Sequence, residues 1–388
     1  MKNYFLWLPS WYPNTLSLYD GDFIQRHAKA AATFEKIVVL YVKKDTDGII
    51  TKNKKQVINE FNNLTEIIIY YHPKKTAFPL INKAISFFKY YSIYFKALRN
   101  VVADFGKPRL IHAHVLLEVA IQALWFHKKY KTPIIVSEHW SGFITKGTES
   151  IEDVFFIKRF FISRAFKKSK FVIAVSDVLG KNIQKIFKIN HYQIIPNVVD
   201  TSIFYPVEKE INKVPTFIHV SNGTALKNIP LMIEAFELIK NQGHDFILQL
   251  IVPNKKEVAE LINKHQLNDH SIIHEEAPQI LVANYMRQSD ALIMYSSYET
   301  FGCVVIEANA CGIPAILSEL AVFKEYAVEN ETALYAEKGN KNELAQTIIQ
   351  FINNKNNFNK KNISERTHHL FSVNVVGKQF ETLYKTLY

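Results

Sequence analysis

The sequence predicts an α/β protein of two doubly wound domains facing a central cleft. Three observations predict it. Short apolar runs alternate with longer stretches of helical periodicity along nearly the whole chain. The runs are continuous rather than alternating in polarity, the pattern of parallel strands buried on both faces. They also number about thirteen, too many for one ordinary sheet, whereas 388 residues suit about two domains.

In the N-terminal half the predicted strands fall at residues 5–8, 37–42, 66–71, 110–114, 133–139, 171–176 and 193–196. The first, Phe5-Leu6-Trp7-Leu8, is stopped by Pro9, and the second, Ile37-Val38-Val39-Leu40-Tyr41-Val42, is almost wholly β-branched or aromatic. A second series follows at 216–221, 246–252, 272–275, 291–296, 314–318 and 333–336. Between strands lie amphipathic segments such as 230–242 and 341–353, read as helices. Pro196, Pro206 and a mixed-charge stretch break the pattern over 197–210. That places a first domain at 1–200 and a second at 201–370, followed by a terminal segment, 371–388. The Asn/Lys-rich stretch 353–362 reads as a surface loop. Ligands of such sheets bind beyond the carboxyl ends of strands, so the residues just after each strand are the candidates for chemistry.

Composition narrows the function classes. Hydrophobic residues make up 48% and charged residues 21%, which excludes a disordered or collagen-like chain. The two cysteines, Cys303 and Cys311, are eight residues apart in one predicted helix, roughly 12 Å at 1.5 Å per residue and too far for a disulfide. A reducing, cytoplasmic setting is expected. No run of about 18 apolar residues suggests a spanning helix. The apolar stretch before Pro9 is too short for a signal peptide. A formal charge of +11 favours anionic partners: phosphorylated small molecules, an anionic membrane surface or nucleic acid. No nucleic-acid motif supports the last.

The most informative stretch runs from Ser289 to Ser318. A strand ends near Ser296 and Ser297, and a short loop presents Glu299. Gly302 allows close backbone approach as a helix opens, and Glu307 sits about one turn into it. Gly312-Ile313-Pro314 stops the helix and begins the next strand. A helix N-terminus behind a glycine is an anion site. Two carboxylates flanking it suit hydrogen bonding to sugar hydroxyls.

The full frame Ser-x-x-Glu-x-Phe-Gly-x-x-x-x-Glu-Ala-x-Ala-x-Gly-x-Pro resembles the retaining glycosyltransferases of family 4, which have the GT-B fold of two Rossmann-like domains. Further matches cover most of the chain. They are Trp11-Tyr12-Pro13 through Gly21-Asp22-Phe23, His112-Ala113-His114, Glu138-His139, Val175-Ser176, Ile194 to Asp200 with Phe204 and Pro206, and Lys227-Asn228 followed by Glu234-Ala235-Phe236. The resemblance implies that Glu299 contacts hydroxyls of the transferred sugar and Glu307 the nucleotide ribose. Backbone amides of Phe301, Gly302 and Cys303 would meet sugar and diphosphate, and Lys227 would neutralise the diphosphate leaving group. Gly21 would let its loop approach the diphosphate, and His139 would line the reaction centre. The terminal segment would form a helix returning to the first domain. That domain would bind the acceptor and the second the donor.

Two positions depart from the family pattern. Asn222 stands where relatives carry an arginine, and Val198 replaces the hinge glycine, a β-branched residue that argues against positive φ. The resemblance also implies no metal or other cofactor, since Lys227 and the helix N-terminus supply the positive charge. Asp45-Thr46-Asp47 reads as a solvated turn rather than a metal–diphosphate motif. His112 and His114 are read as pointing to opposite sides of a strand, and His368-His369 as lacking further ligands, so zinc is not expected.

Residues 80–102 and 155–170 combine aromatic residues with Lys and Arg, a composition suited to the inner face of an anionic membrane. The expected activity is transfer of a sugar from a UDP- or GDP-linked donor to a hydroxyl of a glycan or lipid-linked acceptor, in cell-surface polysaccharide or glycoconjugate synthesis. Two rivals are a nucleotide-sugar epimerase of the same fold and a non-catalytic basic protein binding membrane or nucleic acid.

Overall fold

The computed structural model describes residues 3–50, 54–59, 61, 63–73, 78–144, 150–208 and 213–387; Met1, Lys2 and Glu210, which the sequence reading took in, lie outside them. Two compact units emerge, Met1–Val198 with Val373–Tyr388, and Val199–Ser372.

The first unit runs β1 (Phe5–Pro9), α1 (Asp22–Ala32), β2 (Ile37–Lys44), β3 (Lys54–Ile58), β4 (Leu64–Tyr71), α2 (Pro79–Phe105), β5 (Leu110–His114), α3 (Leu116–Tyr130), β6 (Ile134–Glu138), α4 (Phe156–Lys168), β7 (Phe171–Ala174), α5 (Asp177–Phe187) and β8 (Gln193–Ile194). Its sheet has the order β3-β4-β2-β1-β5-β6-β7-β8, parallel except for β3. All residues of β1, β5 and β6 are buried, as their continuous apolar runs require.

The sequence reading did not include β3. Its residues are exposed or half-buried at the sheet edge, so it never shows the apolar run that marks a central strand. Asp45, read as part of a solvated turn, is buried: its carboxylate accepts hydrogen bonds from the backbone N–H groups of Gly48, Ile49 and Ile50 and so closes the bend before β3.

The second unit holds β9 (Thr216–Val220), α6 (Ile229–Asn241), β10 (Ile247–Ile251), α7 (Lys255–Lys264), β11 (Ser271–His274), α8 (Gln279–Gln288), β12 (Ala291–Met294), α9 (Cys303–Ala310), β13 (Ala315–Ser318), α10 (Ala321–Lys324), β14 (Ala333–Ala336), α11 (Lys341–Asn354) and α12 (Lys360–Phe371). Its six strands are all parallel in the order β11-β10-β9-β12-β13-β14. Phe217, Met232, Phe236, Leu248, Ile293, Leu344 and Phe351 meet in one buried cluster of strand and helix side chains. Asn340 caps α11 by accepting the Glu343 N–H at 3.2 Å, and Asn359 caps α12 in the same way at Asn362. The supposed surface loop 353–362 is therefore the end of α11, a short turn and the start of α12.

The chain then returns to the first unit as α13 (Val373–Lys385), which packs along α1. Gly377 permits the contact: a Cβ there would lie 2.2 Å from the Ala30 carbonyl oxygen. Phe380 and Tyr384 are fully buried. Among the described residues no helix is long and apolar enough to cross a membrane.

Candidate functional site

In the second unit the chain winds outward in both directions from β9, with β10 on one side and β12 on the other. The loops leaving β9 and β12 flank this switch point, the place where ligands of such sheets bind. Most of the sequence-predicted residues stand on these two loops and on α9. The loops are tied together: Ser297 N–H donates to the Leu226 carbonyl at 2.7 Å, and Asn228 Nδ2 donates to Ser297 Oγ at 2.8 Å. Asn228 adopts the left-handed conformation, φ 50°, that turns the chain into α6.

On that frame Lys227 Nζ donates to Glu299 Oε1 at 2.5 Å, and Ser296 Oγ donates to the same oxygen at 2.9 Å. Both side chains are largely buried, 18% and 10% exposed. Glu299 is thus aimed from two sides before any ligand arrives. Gly302, φ 87°, begins α9, and a Cβ there would lie 2.7 Å from the Phe323 ring. The first N–H groups of a helix lack intrahelical partners and carry partial positive charge, which is the basis of an anion site. Phe301 is buried with its ring stacked on Tyr326 at 4.9 Å, and Tyr326 Oη donates to the Phe301 carbonyl at 2.7 Å. Its side chain is therefore structural, leaving only its backbone for a ligand. Cys303, half-buried, opens α9. Glu307 is buried within that helix. Burial first, and the Glu307 carboxylate after it, push the Cys311 thiol up to about 12, with Arg287 opposing.

Asn222, the substitute for arginine, is exposed, and its Oδ1 accepts from Thr224 Oγ1 at 3.1 Å. Sequence reasoning missed His219, near the end of β9. It is fully buried; its Nδ1–H donates to the Ile293 carbonyl at 2.9 Å, so Nε2 accepts from Ser221 Oγ at 2.9 Å. Burial pulls it down to about 4. Its only sequence signal was a polar residue inside an apolar strand.

Gly21 and His139 belong to the first unit. Gly21, φ 66°, precedes α1, and a Cβ would lie 2.5 Å from the Trp11 backbone, so only glycine fits. His139 follows β6, buried beside Phe23 and His27, with ring centroids 4.8 and 5.2 Å away. Next to it, burial pushes the Glu138 carboxyl up to about 8, against the Leu116 N–H it accepts at 2.8 Å. The reading of His112 and His114 as pointing apart is incorrect. Residues two apart on a strand share a face, and their rings lie 4.1 Å apart. His112 is bonded to Tyr384 Oη and Ser137 Oγ, both at 2.7 Å, whereas His114 stacks on Trp7 at 4.0 Å. Val198 is buried, its carbonyl accepts from Arg26 Nη1 at 3.2 Å, and it is not among the described residues with positive φ.

Two doubly wound units with almost wholly parallel sheets, the second holding Lys227 against Glu299 after its central strands, form the GT-B fold of glycosyltransferases. The chain matches the family of glycosyl transferases group 1 over residues 203–368 and glycosyltransferase family 4 over residues 61–203. It belongs to this glycosyltransferase family. An uncharacterised glycosyltransferase of Methanocaldococcus jannaschii is 27% identical over 76% of this chain and 77% of its own. The N-acetyl-alpha-D-glucosaminyl L-malate synthase of Bacillus anthracis is 24% identical over 76% and 80%. Among solved structures, a sucrose-phosphate synthase from Thermosynechococcus elongatus superposes with a TM-score of 0.79 at 18% identity, covering 100% of this chain and 99% of its own. Anabaena HepE in complex with UDP and glucose superposes with a TM-score of 0.73 at 14% identity, covering 99% and 100%.

Proposed function

We propose that this glycosyltransferase is a retaining enzyme that moves a sugar from a nucleoside-diphosphate donor to a hydroxyl of a glycan or lipid-linked acceptor. The observation that carries the reading is the Lys227–Glu299 pair at the switch point of the second sheet, with Glu307 in the helix that Gly302 opens. When the donor enters, its diphosphate takes Lys227 as counter-ion, and the freed Glu299 oxygen accepts from sugar hydroxyls. Glu307 holds the ribose, and the backbone N–H groups at Phe301, Gly302 and Cys303 meet sugar and phosphate. A fixed cation at the leaving group stabilises charge as it develops, so the transfer needs no metal at the diphosphate. The acceptor is assigned to the first unit, with His139 as its candidate catalytic residue. The leaving phosphate deprotonates the acceptor hydroxyl on the face it departs from, which retains configuration.

HepE, solved with UDP and with UDP-glucose, supports a UDP-linked donor. A capsular polysaccharide biosynthesis glycosyltransferase of Staphylococcus aureus, 23% identical over 41% of this chain, supports a role in cell-surface glycans. The basic, aromatic surface of α4 supports peripheral placement at an anionic membrane face.

Calorimetric titration with UDP and then GDP tests the donor site. One nucleotide is expected to bind, and Lys227→Ala and Glu307→Ala are each expected to weaken it at least tenfold, about 1.4 kcal/mol. Native affinity in both variants would refute the assignment.

A further inference from the structure

The first unit has a switch point of its own, between β1 and β5, and three histidines converge beyond it. His27 comes from α1, His114 from the end of β5 and His139 from just after β6. All three are at least nine-tenths buried, and one ring nitrogen from each lies within 4.8 Å of the other two. His27 Nε2 must donate to the Pro196 carbonyl, 2.8 Å away, which leaves Nδ1 as a bare lone pair. That Nδ1 and both nitrogens of His114 have no hydrogen-bond partner among the described residues, and His139 has at most the Asn197 side chain at one of its two nitrogens. At least four polar atoms in one buried place are costly unless something takes them up, at about 1–3 kcal/mol each.

A backbone carbonyl that fixes the tautomer of a ligating histidine is the usual support of a metal site. Three imidazoles with a fourth position open are a donor set that zinc accepts. Tetrahedral zinc with Zn–N of about 2.0–2.1 Å places ligand nitrogens roughly 3.3 Å apart, so ring rotations of about an ångström close the site.

We propose that His27, His114 and His139 bind one divalent zinc ion in the first unit. The inference does not rest on the sugar-transfer reading and does not alter its metal-free step, which belongs to Lys227 in the second unit. The fourth ligand is water, hydroxide or an oxygen of the acceptor.

The test uses the full, untagged chain, with zinc and then cobalt as the probes. After incubation and gel filtration, one zinc ion per chain is expected, with a shell of imidazole nitrogens at about 2.0–2.1 Å by X-ray absorption. Cobalt should give the visible bands of a four-coordinate site. His114→Gln and His139→Gln should each weaken zinc binding more than about 100-fold, beyond the loss of an outer partner. His368→Gln should leave it unchanged. Substoichiometric uptake by the native protein would overturn the proposal, as would an oxygen-only shell or native affinity in His114→Gln. Should either glutamine variant misfold, the absorption shell of the native protein decides alone.

Discussion

At the residue scale, β9 of the second unit holds one group whose protonation is coupled to stability. His219 is neutral in the fold, and burial sets it at about 4 against an ordinary value of about 6.5. As pH falls below about 6.5 the unfolded chain takes up the proton first. Stability contributed by the neutral ring is therefore full above about 6.5 and is lost towards about 4, by up to roughly 3 kcal/mol. The buried histidines of the first unit add slopes of their own, so the informative comparison is between native protein and His219→Gln. Urea midpoints measured from pH 7.5 to 4.5 should converge as pH falls, because the variant lacks this titration. Parallel curves would show that His219 does not titrate as its burial requires.

Gly302 makes a second residue-scale case. Both its φ of 87° and the 2.7 Å approach to Phe323 oppose a side chain. Gly302→Ala should cost about 1–3 kcal/mol in stability and weaken nucleotide binding by moving the start of α9, with urea melts and calorimetry as the readouts. Such positions were legible because the frame from Ser296 to Pro314 is contiguous in sequence. The contact of His112 with Tyr384 was not: its partners are 272 positions apart, and only the folded chain brings them together.

At the scale of elements, periodicity sufficed wherever burial was two-sided. The central strands and α6, α11 and α13 appear within a few residues of where apolar runs and amphipathic stretches put them. The edge strand β3 and the start of α12 escaped because neither carries a buried apolar run, and α12 relies on the Asn359 cap. Both basic, aromatic stretches divide between core and surface. In α2, Tyr94 is core, while Ile85, Phe87 and Phe88 are exposed, with exposed Lys83 nearby. At the start of α4, Phe155, Phe156, Ile157 and Phe160 are 46–69% exposed, with exposed Arg159, Arg164, Lys167 and Lys168 on the same segment. Apolar rings beside cations match an anionic bilayer interface. Replacing Phe155, Phe156 and Phe160 with Ser should leave the melting temperature unchanged, since nothing buried is removed. It should lower binding to vesicles with about a third anionic lipid by at least tenfold, and raised salt should weaken the native protein's binding. Equal binding by native protein and triple variant would remove α4 from the membrane assignment.

At the scale of the whole molecule, the last helix completes a core begun by the first strand. Trp7 Nε1 donates to Tyr384 Oη at 3.1 Å, and that same oxygen meets His112, so residues from β1, β5 and α13 share one buried node. The first unit is therefore finished only when the final residues of the chain return to it. Gly377 is where packing and local propensity disagree about a single methyl group. Within a helix, Gly to Ala ordinarily stabilises by about 1 kcal/mol. Here the added Cβ would stand 2.2 Å from the Ala30 carbonyl oxygen and about 3.0 Å from the Phe34 ring. The oxygen is backbone within α1, so relief requires one helix to shift from the other, and strain of that kind costs about 1–3 kcal/mol. Gly377→Ala is therefore expected to destabilise, lowering the urea midpoint without changing the slope of the transition. A stabilised variant would mean that α13 does not lie against α1 at this distance.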